Sequence, residues 1–234
     1  NLTITDVDGC SQTFFSFVTI DEPSPISAST TRVDIDCFGA GNGSIDLTPA
    51  GGTPGYTFVW TGPSGFDATT EDIANLEAGA YGVTITDANG CSETFNPVDS
   101  IREPEEFVLT HVKTDITCGG LSDGTIDITV TGGTLPYLFS WTGPSGFISS
   151  SEDISALVAG VYNLMITDGN GCIYDYTGLE TIVEPALIEA TYVSHQDVSC
   201  NGESTGSIEI NASGGVPPLT FNWTNSSGET VSTD

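Results

Sequence analysis

Six cysteines carry most of the reactive chemistry in this chain, and their spacing is regular. Cys10, Cys91 and Cys172 stand 81 residues apart, as do Cys37 and Cys118, with Cys200 lying 82 further on. Two cysteines per period, with no Cys-x-x-Cys pair and no histidine beside them, read as a disulfide framework in an oxidising compartment. Tetrahedral zinc would need clustered ligands and is not expected. The second set is oxygen donors. Asp6, Asp8, Asp87, Asn89, Asp168 and Asn170 precede Gly-Cys, and Glu22, Glu103 and Glu184 each stand before a proline. Carboxylates gathered at a boundary between domains suit a hard cation, so Asp87, Asn89, Glu103, Asp168 and Asn170 are candidates for calcium. The competing reading is that Asx-Gly residues make the tight hairpin turn, and no Asp-x-Asp-x-Asp loop is present. No other cofactor is expected. Catalysis is not expected either: His111 and His195 are the only histidines, and neither recurs at the period nor adjoins a nucleophile motif.

These residues must be positioned by a repeated element. Trp-Thr-Gly-Pro-Ser-Gly-Phe occurs at 60–66 and again at 141–147, an offset of 81, so the chain is a tandem array of one small domain. The window is out of phase with the repeat. Residues 1–22 match the end of a unit, 23–103 and 104–184 are complete units, and 185–234 match the first half of another, as in a stretch of something longer. Within the second unit the apolar alternation predicts strands over 107–112, 124–130, 137–141, 147–150, 153–157, 163–167 and 174–182. Gly143-Pro-Ser-Gly146 is a turn, and Asp168-Gly-Asn-Gly171 is a hairpin. Seven short strands separated by Gly, Pro and Asx turns predict an all-β fold, a row of immunoglobulin-like β-sandwiches. Leu76 to Tyr81 and Leu157 to Tyr162 look like the tyrosine corner of such folds, and Trp60, Trp141 and Trp223 fall on the third strand as core aromatics. Glu22-Pro23, Glu103-Pro104 and Glu184-Pro185 are joints, where proline leaves few free torsions and predicts stiff connection.

Charge narrows the function. The chain carries 32 acidic residues against three Lys and Arg, a formal net charge of -29, which excludes a phosphate-backbone binder. The acids are scattered, and 38% apolar content argues against disorder. No run approaches the roughly 18 apolar residues of a membrane span.

Cys37-Phe-Gly-Ala-Gly-Asn-Gly-Ser-Ile-Asp-Leu, then Gly51-Gly52-Thr-Pro with Tyr56-Thr-Phe-Val-Trp60, then Leu-x-Ala-Gly-x-Tyr and Thr-Asp-x-Asn-Gly-Cys, together resemble the SprB-type repeat. That repeat occurs in large surface adhesins and gliding-motility proteins of Bacteroidota. The third copy departs from it, with Leu219 in place of Tyr56 and Tyr137. The resemblance implies an extracellular, surface-anchored fibre exported by the type IX system and used in adhesion, gliding or cell capture. It also makes Ser100, in Asp99-Ser100-Ile101, a candidate O-glycosylation site. The expected partners are adjacent repeats, identical filaments in a homo-oligomeric bundle, and other cell surfaces or glycans. Ile173 and Phe66 are candidates for lateral contact on outer strand faces. Two readings of function stand: shaft of a filament, or repeats that themselves bind glycan or a surface.

Disulfide pairing follows from the sandwich topology. Pairs within a repeat would join Cys37 to Cys91 and Cys118 to Cys172. In an immunoglobulin-like sandwich, however, the loop after the first strand and the hairpin before the last lie at opposite ends. A strand of about seven residues spans roughly 23 Å, whereas bridged Cα atoms lie within about 7 Å. The preferred pair is therefore Cys37 with Cys172, across the Glu103-Pro104 joint; pairing between chains is the third option.

Overall fold

A computed structural model describes residues 1–15, 18 and 20–233. The chain divides into two compact units, Asn1–Pro104 and Glu105–Asp234. The first opens with a hairpin, β1 (Leu2–Thr5) and β2 (Ser11–Phe14), followed by β3 (Ser27–Val33), β4 (Gly43–Ala50), β5 (Thr57–Thr61), β6 (Asp67–Ala68), β7 (Ile73–Leu76), β8 (Gly79–Thr86) and β9 (Ser92–Ile101). All pairings are antiparallel. A three-stranded sheet of order β3-β4-β7 faces a four-stranded sheet of order β6-β5-β8-β9.

The second unit repeats this arrangement: β10 (Val108–Thr114), β11 (Gly124–Thr131), β12 (Leu138–Thr142), β13 (Ile148–Ser149), β14 (Ile154–Leu157), β15 (Gly160–Thr167) and β16 (Ile173–Ile182) form sheets β10-β11-β14 and β13-β12-β15-β16. Two hairpins complete it, β17 (Glu189–Gln196) with β18 (Ser207–Ser213) and β19 (Asn222–Thr224) with β20 (Thr230–Thr233). The all-β sandwich expectation is met. Among the described residues there is no α-helix, and no helix long and apolar enough to cross a membrane.

Period-2 alternation is what closes each core. In β4, Ile45 and Leu47 point inward while Asp46 and Thr48 point to solvent; in β11, Ile126 and Ile128 alternate with Asp127 and Thr129 in the same way. The first core gathers Ile45 and Leu47 with Phe58, Trp60, Ile73, Leu76, Val83, Ile85 and Ile101. Each such side chain contributes about 1.5–3 kcal/mol on full burial. The second core is its counterpart around Trp141, Tyr162, Leu164 and Ile166. Gly51 and Gly132 end β4 and β11 at φ +76, and a Cβ on either would collide with the carbonyl of Pro25 or Glu106. Only glycine fits that turn.

Strand β15 starts at Gly160, ahead of the expected residue 163. Gly160, Val161 and Tyr162 already pair with Ile182, Thr181 and Glu180, and the register shifts between Tyr162 and Leu164. A bulge there makes the corner part of the strand.

Candidate functional site

Each repeat presents two chemical ends, built by different elements. At one end the hairpin between β8 and β9 is held by Asp87. Its Oδ1 accepts from the backbone N–H of Asn89 (2.9 Å) and Cys91 (2.9 Å), and its Oδ2 accepts from Thr53 N–H (2.9 Å) in the turn after β4. Asn89 Nδ2 donates to Thr53 Oγ1 at 2.8 Å. The second repeat reproduces the arrangement around Asp168: Asn170 N–H and Cys172 N–H at 2.9 Å, Thr134 N–H at 3.0 Å, and Asn170 Nδ2 to Thr134 Oγ1 at 3.1 Å. Both aspartates are buried, 5% and 4% exposed. Hydrogen bonds from Thr53, then Cys91, Asn89 and Gly90, hold the Asp87 carboxyl below its usual range against the opposing effect of burial.

At the other end, the loop between β3 and β4 is tied to the joint. Gly39 N–H donates to Glu103 Oε2 at 3.0 Å, and Gly120 N–H donates to Glu184 Oε1. Glu103 therefore lies at the end of β9 and Asp87 and Asn89 at its beginning, about 30 Å apart by strand rise. Within the first repeat the candidates Asp87 and Asn89 thus stand apart from Glu103, and Asp87, Asp168 and Glu103 each accept a backbone N–H. Among the described residues, no three His, Cys, Asp or Glu side chains come together as a metal site.

The same geometry decides the cysteines within a repeat. Cys37 lies in the loop held by Glu103 and Cys91 in the hairpin held by Asp87, at opposite ends of β9. Cys10, Cys91, Cys118 and Cys200 are free and exposed, whereas Cys37 and Cys172 are disulfide-bonded. The pairings Cys37–Cys91 and Cys118–Cys172 are thereby corrected: ten-residue β9 and β16 separate their members by far more than a disulfide spans.

The third-strand tryptophans and the corner tyrosines are core in both complete repeats. Trp60 is 0% and Trp141 1% exposed, and their indole N–H groups donate to Thr70 O (2.9 Å) and Ser151 O (3.0 Å). The tyrosine corner is present as expected, Tyr81 OH donating to Glu77 O and Tyr162 OH to Val158 O, both at 3.0 Å. Phe66 is half-buried and packs edge-on against Tyr81 at 5.3 Å, so it is not an outer-face residue. Ile173 is, at 65% exposed. Trp223 is only half-buried. Ser100 lies half-buried in β9 with its N–H on Asp99 Oδ1.

Sequence reasoning missed the Asp-to-Thr tie across the repeat. Its signal was present: Gly-Gly-Thr and Asp-x-Asn-Gly-Cys recur together at 51–53 with 87–91 and at 132–134 with 168–172.

Twice-copied sandwiches with the same buried tryptophan, tyrosine corner and turn carboxylate define a tandem-repeat β-sandwich protein. The SprB repeat family matches residues 29–65, 110–146 and 193–228, in each case the run from the first strand to the Gly-Pro-Ser-Gly turn or its counterpart. Three SprB repeats are thus recognised along the chain, a kind of repeat that suggests the repeat region of a surface adhesin or gliding-motility protein. No curated protein matches it.

Proposed function

We propose that this segment is the shaft of a long extracellular filament on a bacterial surface, spacing a distal binding part from the cell. The observation that carries the reading is the burial of Trp60, Trp141, Tyr81 and Tyr162, all at or below 1% exposure. A repeat that captured glycan by stacking would present such rings to solvent. The Asp87 and Asp168 carboxylates support the same reading, since their backbone partners are internal. Cys37 pairing with Cys172 would staple consecutive repeats, a pairing consistent with these two alone being disulfide-bonded. Such a bond restricts the unfolded chain by about 3–5 kcal/mol for loops of this length. Lateral association of identical filaments is supported by the outer face of the β13-β12-β15-β16 sheet. There Leu138 and Ile173 flank Thr167 in one row, and Met165 lies in the next, all three apolar side chains exposed.

The test is retention of the 234-residue chain on a glycan array and on whole cells. The shaft predicts no retention above a heat-unfolded control. Saturable retention that disappears on removal of an exposed aromatic, such as Phe38→Ala, would establish the repeats as binding modules instead.

A further inference from the structure

The chain has only three Lys and Arg residues, Arg32, Lys113 and Arg102, yet two of them stand at the same place in successive repeats. Arg32 is on β3 and Lys113 on β10, 81 residues apart. Each reaches from the three-stranded sheet to an acid on the last strand of the facing sheet. Arg32 Nη1 donates to Asp99 Oδ1 at 2.8 Å, and Thr30 Oγ1 donates to Asp99 Oδ2 at 2.8 Å. In the second repeat Lys113 Nζ meets Glu180 Oε1 at 3.1 Å, and His111 Nε2 meets Glu180 Oε2 at 3.1 Å. A second acid beside each cation, Asp34 or Asp115, accepts the backbone N–H of Arg102 (3.0 Å) or Val183 (2.9 Å). One backbone bond completes each set: Ile35 N–H to Arg102 O at 2.9 Å, and Ile116 N–H to Val183 O at 3.0 Å.

The order of these contacts fixes their mechanical sense. Thr30 and Arg32 face Asp99 and, further along, Ile35 faces Arg102, so β3 and β9 advance in the same direction at this edge. The chain enters the repeat through β3 and leaves it through β9. Tension drawn through the chain therefore slides the two strands past each other and loads all the contacts together, in shear, instead of opening them one after another. Ile35 and Ile116 are 4% and 3% exposed, so water reaches the backbone bonds poorly. In a chain this acidic, placing scarce cations at this edge twice gives it a charge-assisted closure.

We infer that this edge is a force-bearing latch: the first and last strands of each repeat are locked in shear by Arg32–Asp99 with Asp34, and by Lys113–Glu180 with Asp115. The inference rests on the shaft reading. It is read by force, whereas that reading is tested by retention on glycans and cells, so the failure of either is recognisable by itself.

The test holds the full 234-residue chain by its ends in optical tweezers, in reductant so that no disulfide bypasses the load. Two unfolding events are expected from the complete repeats. Asp34→Ala should shorten the lifetime of one event at fixed force by about tenfold, the scale of a lost charge-assisted bond with a stranded donor. Asp115→Ala should do the same to the other event. Asp34→Asn keeps a carbonyl acceptor for Arg102 N–H and should restore most of the lifetime. Thr84→Val, which removes a hydroxyl pair to Thr94 on the outer face, should leave both lifetimes unchanged. Lifetimes unaltered by Asp34→Ala and Asp115→Ala, or shortened as much by Thr84→Val, would overturn the latch. So would an equal shift in the zero-force unfolding rate measured in denaturant, because that is what a merely structural contact gives.

Discussion

The two complete repeats share one core and differ at its rim. Trp60 and Trp141 occupy equivalent places and are both buried, 0% and 1% exposed. At the hairpin end the second repeat carries a ring cluster: Phe107 stacks on Tyr174 at 3.7 Å and meets Tyr137 edge-on at 5.9 Å. In the first repeat the places of Phe107 and Tyr174 are held by Ile26 and Glu93, and Ile26 packs on the core as an aliphatic side chain. The buried centre of the repeat is therefore copied closely, while its rim is filled by different shapes.

The sharpest way to break this comparison is to truncate that rim. Phe107→Ala should cost about 3 kcal/mol, because it removes a stacked ring as well as a partly buried side chain. Ile26→Ala should cost about 2 kcal/mol, the low end for an aliphatic truncation. Urea unfolding of the full chain followed by circular dichroism reads both. Equal losses would mean that the ring cluster adds nothing beyond apolar burial, and that it does not distinguish the two rims.

How far the sequence reaches is visible at particular residues. Ile45, Leu47, Ile126 and Ile128 were legible as core because alternation with Asp and Thr has no other economical reading in a strand. Tyr81 and Tyr162 were legible because a corner motif fixes both the ring and its acceptor. Residues joined across the sandwich were not. Thr53 and Asp87 are 34 residues apart, and each also makes good sense as a turn residue, so nothing local announces that one holds the other. The two readings of Asp87, turn residue and oxygen donor at a boundary between domains, look the same locally for that reason. Arg32 and Lys113 posed the same difficulty, since their partners Asp99 and Glu180 sit 67 residues further along.

Asp87 also makes the first repeat sensitive to acid in a way that can be signed. Its folded-state pKa lies below the ordinary 3.8, because the charged form accepts backbone N–H groups that the protonated form holds less well. The unfolded chain thus binds the proton more readily. The stabilisation is fully present above the ordinary carboxylate range and is lost as pH falls below 3.8 through the depressed value. Asp87→Asn removes the ionisation and turns Thr53 N–H toward an amide that accepts only on one atom. The expected outcome is a variant less stable near neutral pH whose stability is flatter than the parent's on the acid side, measured by urea midpoints at a series of pH values. An unchanged slope would remove Asp87 from the acid response of the first repeat.

The smallest expected effect separates the two complete repeats at one backbone position. Asn75 and Ala156 occupy equivalent places in β7 and β14, and both have φ of +57. The pairing register is irregular at each, between Gly43 and Ser44 in the first repeat and between Gly124 and Ile126 in the second. This is a bulge that needs a left-handed residue. Asparagine tolerates that conformation through its short polar side chain, whereas alanine pays the steric penalty of its Cβ in full. Ala156→Gly should therefore stabilise the second repeat by up to about 1 kcal/mol, after part of the gain is returned to the more flexible unfolded chain. Asn75→Gly should change the first repeat by less, because its side chain has already relieved most of the strain. Differential scanning calorimetry of the two single variants decides the matter: a larger gain at Asn75 than at Ala156 would show that the bulge, and not the residue occupying it, sets the strain in both repeats.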